Sequence, residues 1–132
     1  MILRLFKRRK AIKSFVFKLP IELGRRFGEK RFYSLEEVGR RLEEGKYDKA
    51  FSAYAYALLC SRSSFDAYFS QLNVKCTYDG LRKFVAKKYF KGIIDFDASS
   101  IIRFAKGIGN KSYYDSDHGT NFCSGSDISG HH

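Results

Sequence analysis

The run Asp48–Cys60, DKAFSAYAYALLC, constrains the fold more than any other stretch of the chain. Phe51, Tyr54, Ala55, Leu58 and Leu59 recur at i, i+3, i+4, i+7 and i+8, so the period is helical. Ala53, Tyr56, Ala57 and Cys60 fill the remaining faces. A helix that is apolar nearly all round has no side that gains from water, so its neighbours must enclose it. The run therefore predicts a central buried helix around which the other elements pack.

A chain of 132 residues can build one core without staples. The 13 Phe and 9 Tyr supply its bulk, and Pro20 is the single proline, so most of the chain is free to be helical. Residues 2–19 read as a basic N-terminal helix with a stripe of Ile12, Phe15, Val16 and Leu19, ended by Pro20. Residues 24–33, rich in Gly and charge, read as a connector. Ser34 and Glu37 form a capping box, with Tyr33 placed to staple onto Val38. The helix so started turns Leu35, Val38 and Leu42 inward and ends at Gly45 in the manner of a C-terminal glycine. Asp48 is the expected cap of the central helix. Asp66, Asp79 and Asp97 are the expected caps of three later helices. Leu81, Phe84, Val85 and Tyr89 face inward from the second of these, and Ile101, Ile102, Phe104 and Ala105 from the third, which Gly107 and Gly109 stop. The expectation is an all-α fold: one compact domain of about six short helices over residues 1–109, followed by a flexible Gly/Ser/Asp-rich tail, 110–132.

Within that fold the pair 34–62 resembles a single tetratricopeptide-like helix hairpin. Gly45, Tyr47, Ala50, Tyr54, Ala57 and Leu58 follow the second half of that repeat, and Leu35, Val38, Gly39 and Leu42 the spacing of its first helix. The segment between Gly39 and Ala50 is one residue short, Arg62 stands where a closing proline is common, and no second copy follows. What the resemblance implies is local: Ala50 and Ala57 admit a close neighbour, and Tyr54 fills the space between.

Charge narrows the partners. The chain carries 25 Lys and Arg against 14 Asp and Glu. Arg4, Lys7, Arg8, Arg9, Lys10, Lys13 and Lys18 lie in the first nineteen residues with no acid among them. Lys83, Lys87 and Lys91 form a second basic series at i, i+4 and i+8. Arg4, Lys7, Arg8, Arg9, Lys10, Lys13, Lys83, Lys87 and Lys91 are thus the candidate anion-binding residues. They point to a polyanionic partner, nucleic acid or an acidic membrane surface. The leading expectation is a helical binding module that engages a protein partner or an anionic surface; the alternative is nonspecific nucleic-acid binding.

Enzymatic chemistry finds little support. All three histidines, His118, His131 and His132, lie in the tail, so the domain offers no imidazole base. Asp115, Asp117, His118, Cys123, His131 and His132 match no metal-site spacing, and Gly107-Ile108-Gly109 lacks both the third glycine and the preceding strand of a phosphate loop. Neither enzyme activity nor a cofactor is expected. Ser34 to Leu42 could open a helix-turn-helix, but its successor is too apolar to read base edges. Cys60, Cys76 and Cys123 are widely spaced, with no zinc-type or thioredoxin-type spacing; their odd count suggests a reducing compartment, with Cys76 expected as a small apolar filler. The opening MILRLFKRRK breaks before a signal-peptide core forms. The expectation is a cytoplasmic protein, with peripheral membrane attachment left open.

Overall fold

A computed structural model describes residues 2–70 and 76–108, and of residues 2, 3 and 108 the backbone only. The expectations for the tail 110–132, its histidines included, lie outside these residues. Among the described residues there are seven α-helices and one 3₁₀ turn, and no strand. The all-α fold stands.

The N-terminal helix, α1 (Ile2–Phe17), buries Ala11, Ile12, Phe15 and Val16, so its apolar stripe docks on the core. Pro20 does not end a helix here. The chain bends at Lys18 and continues as α2 (Leu19–Phe27), with Pro20 in the first turn, where a missing N–H costs nothing. The N–H of Lys18 still reaches Ser14 O at 3.0 Å, and that of Glu22 reaches Lys18 O at 3.1 Å. The expected connector at 24–33 is therefore helical to Phe27, and residues 28–34 make the link.

The capping box forms as read: Ser34 Oγ accepts from Glu37 N–H, and the Glu37 carboxylate accepts from Ser34 N–H, both at 3.0 Å. It starts α3 (Leu35–Glu44), which buries Val38 and Leu42. Asp48 caps the 3₁₀ turn Lys49–Phe51, accepting from Ala50 N–H, and only then does α4 (Ser52–Leu59) begin. Tyr33, just before α3, donates its N–H to Leu59 O at the end of α4, so the two helices run antiparallel.

Two caps lie elsewhere than expected. Ser61, not Asp66, starts α5 (Arg62–Phe69). Thr77, not Asp79, starts α6 (Tyr78–Tyr89). A hydroxyl at the N-cap serves as well as a carboxylate, and Asp79 takes a first-turn place where it pairs with Arg62 at 2.7 Å. Asp97 does cap α7 (Ala98–Ile108), which runs through Gly107.

The central place of α4 is confirmed. Ala53, Tyr54, Ala55, Ala57, Leu58 and Leu59 are buried, and α1, α3, α5 and α6 all pack on it. With that face closed, α4 cannot serve as a recognition helix. On the far side of α1, α7 covers both α1 and α2. Cys60 is a free buried thiol, whose pKa burial raises to about 12. Cys76 is disulfide-bonded, which corrects its reading as a simple filler.

Candidate anion-binding face

Helical spacing sets Lys7, Lys10 and Ser14 on one line of α1, at i, i+3 and i+7. Across from them lies the turn after α3, and together with Lys46, Tyr47 and Asp48 they line a cleft of about 420 Å³. Lys7, Lys10 and Lys46 form no ion pair or hydrogen bond among the described residues. Asp48 is the single carboxylate of the lining, and its Oδ1 is engaged at 3.1 Å by Ala50 N–H. The Ser14 hydroxyl donates to Ala11 O at 2.7 Å, so the free donors of the cleft are the three ammonium groups.

Tyr47 forms the wall that fixes this geometry. Its ring is buried, 6.2 Å from Phe15, with Lys18 Nζ 5.2 Å from the ring centroid. Its hydroxyl donates to Glu22 Oε1 at 2.6 Å. Burial, then the bond and charge of Glu22, hold this phenol protonated far above its ordinary range, so it is a strut and not a base. Gly45 makes room for it. The backbone there is extended, not left-handed, but a Cβ would stand 2.6 Å from Tyr47 Cε2, closer than any packing allows. The glycine read as a helix stop is required by the ring beside it.

Glu22 joins this cleft to a second one. Its Oε1 also lies 3.2 Å from Arg41 Nε, at ion-pair distance though not directed for a hydrogen bond. Glu22, Arg25, Arg26 and Arg41 line a neighbouring hollow of about 370 Å³. Glu44 pairs with Arg26 at 3.5 Å and with Arg41 at 3.6 Å. The two clefts and Lys18 thus present seven cations, from α1, α2, α3 and the turns beside them, against Glu22, Glu44 and Asp48. Cations outnumber carboxylates on this surface, and exposed pairs such as Arg26–Glu44 exchange partners at little cost.

Residues 2–132 match a family of unknown function, DUF6559. The chain belongs to that family. No curated protein and no solved structure matches it. For this DUF6559 chain the geometry itself must carry the functional reading.

Of the nine candidates read from the sequence, Lys7 and Lys10 line the first cleft. Arg8 does not reach the surface: it is 7% exposed, with its guanidinium 4.7 Å above the Phe84 ring of α6. Position 8 falls on the buried arc with Ile12 and Phe15, which decides its fate over its charge. Arg4 is exposed and lies 5.5 Å from the Phe51 ring centre, Arg9 is half-buried and Lys13 exposed. Lys83 and Lys87 are exposed on α6 and line neither cleft. Lys91 lies past the end of α6 at φ 54°, so the series at i, i+4, i+8 is cut after Lys87. The sequence reading missed Lys46, Arg25, Arg26 and Arg41, because they join the site through the α2–α3 packing and not through any local pattern. No described helix is long and apolar enough to cross a membrane.

Proposed function

We propose that the protein is a non-enzymatic helical module that holds a phosphate-bearing polyanion against the face made by α1, α2 and the end of α3. The observation that carries this reading is the cleft lined by Lys7, Lys10 and Lys46 against one carboxylate, Asp48, whose Oδ1 also accepts from Ala50 N–H. Three lysines against one carboxylate in the lining give the hollow a net positive charge, which favours an anionic ligand. The cleft pairs no nucleophile with a base, which favours binding over catalysis.

The test compares Lys7→Gln/Lys10→Gln/Lys46→Gln with Lys83→Gln/Lys87→Gln, using short duplex DNA, inorganic polyphosphate and acidic lipid vesicles. The cleft variant should lose most of the affinity, and on DNA its logarithmic salt slope should fall by about 0.9 for each phosphate contact removed. The α6 variant should change little. Equal losses in the two variants would disprove the assignment to this face. A wild-type protein that binds none of the three probes would leave the protein-partner reading. That alternative is supported by a groove of about 480 Å³ between α3 and α4, in the tetratricopeptide-like hairpin, lined by charges of both signs and Tyr56.

A further inference from the structure

The lysine cleft offers a ligand more than positive charge. Asp48 stands in its lining beside Lys7, Lys10 and Lys46, yet it forms no ion pair with any of them among the described residues. Its Oδ1 accepts from Ala50 N–H at 3.1 Å, which holds the carboxylate on the turn before α4. Its other oxygen, Oδ2, has no partner among the described residues. Ser14, one turn beyond Lys10 on α1, donates its hydroxyl proton to Ala11 O at 2.7 Å. With that proton spent, what the Ser14 oxygen has left for a ligand is lone pairs. The Tyr47 hydroxyl is engaged by Glu22 at 2.6 Å. The lining thus combines three ammonium donors with two oxygen acceptors, the Asp48 carboxylate and the Ser14 hydroxyl.

Each half of this set selects chemistry. Ammonium groups are compact point charges suited to phosphate oxygens, whereas a planar carboxylate is better held by the fork of an arginine, and this cleft has none. The two acceptors call for O–H or N–H groups on the ligand. The backbone of duplex DNA and an inorganic polyphosphate chain at neutral pH present acceptor oxygens only, so toward either of them the Asp48 carboxylate is purely repulsive. A polyol that carries phosphates supplies both kinds of group. The cleft, at about 420 Å³, also has the size of a small-molecule site, roughly 300–1,000 Å³. We infer that it takes a phosphorylated polyol, of the class of sugar and inositol phosphates: Lys7, Lys10 and Lys46 hold the phosphates, while Asp48 Oδ2 and Ser14 Oγ accept from the hydroxyls. The inference rests on the polyanion reading above and names the ligand class of that same cleft. The carboxylate that weakens a plain anion site is then what selects the ligand. A free polyol phosphate and the headgroup of an inositol lipid share this chemistry.

Asp48→Asn tests the inference by sign. Asn caps as well as Asp and keeps an oxygen for Ala50 N–H, but it puts an NH₂ donor where Oδ2 was. In titration calorimetry the variant should bind inorganic tripolyphosphate at least as tightly as the wild type, because a repelling charge is gone. Its affinity for inositol trisphosphate should fall, so that the ratio of the two affinities drops by about tenfold, as expected for a lost hydrogen bond to a charged acceptor. Ser14→Ala should lower the same ratio by about threefold. An unchanged melting midpoint shows that Asp48→Asn is folded; if the midpoint falls, Ser14→Ala carries the test alone. A ratio that the folded variant leaves unchanged overturns the inference and leaves the polyanion reading standing. Wild-type binding to duplex DNA or long polyphosphate but to neither small ligand does the same. Full retention of both small ligands by Lys7→Gln/Lys10→Gln/Lys46→Gln, or binding to no probe, removes both readings. Phosphatidylcholine vesicles carrying phosphatidylinositol bisphosphate or phosphatidylserine tell the sources apart. Binding to the first alone, released by inositol trisphosphate, supports a lipid headgroup, and binding of the free trisphosphate without vesicle binding supports a soluble ligand.

Discussion

Arg82 shows how far a single side chain can depart from the habit of its residue type. It is 5% exposed, donates to Ala57 O at 2.9 Å, and also bonds Ile94 O and Phe96 O. Its guanidinium lies 3.9 Å from the Phe96 ring centre and 4.8 Å from that of Tyr78. One fork thereby ties the last turn of α4 to the segment before α7. Arg82→Met keeps the volume and removes the donors, so it should cost about 2–4 kcal/mol through the carbonyls left unsatisfied, as read from a denaturant curve. A shift of less than about 0.5 kcal/mol, the level of a neutral surface change, would disprove the clamp. Arg82 reads as one more cation of a lysine-rich helix, yet Tyr78, Leu81, Arg82 and Val85 follow i, i+3, i+4 and i+7, and that arc carried the missing signal. Arg8 repeats the lesson on α1. In both, position on the helix outweighs formal charge.

At the scale of elements, periodicity was legible and boundaries were less so. The central helix and the capping box of α3 follow from patterns spread over several residues, which no single contact can override. Pro20, Asp66 and Asp79 misled because each was read alone: a proline suits the first turn as well as the residue after a helix, and nearby hydroxyls cap in place of carboxylates. The lysine cleft was half legible, since α1 supplies one wall by spacing while the other arrives by tertiary packing. Asp97 is the cap that held, and it makes α7 sensitive to acid. Burial opposes its charge, but bonds from Ser100 N–H, the Ser99 hydroxyl, Arg31 and the Ser100 hydroxyl outweigh that and hold its pKa well below the usual carboxylate range. A depressed carboxylate stabilises the fold above its unfolded pKa of about 3.9 and loses that contribution as pH falls toward the folded value. Asp97→Asn should therefore lower the melting midpoint at neutral pH and flatten its decline below roughly pH 4. An unchanged acid limb in a pH series of melting curves would refute this role.

For the molecule as a whole, α4 is the hub, and Tyr54 is the largest side chain it buries. Its ring is enclosed and lies 5.8 Å from Phe84, so Tyr54→Ala should open a cavity and cost about 3–5 kcal/mol. An unchanged midpoint would remove α4 from the centre. The packing of α7 on α1 and α2, with the Phe104 ring 5.6 Å from Phe17, closes the core between the two ends of the described chain. During synthesis α1 leaves the ribosome well before α7, its cover. Until α7 emerges, the apolar stripe of Ile12, Phe15 and Val16 waits without part of its shelter, in a state prone to association. The lysines on the opposite side of that helix then act as gatekeepers, since like charge holds neighbouring nascent chains apart. The basic face proposed to receive an anion in the finished protein would thus also protect the unfinished one.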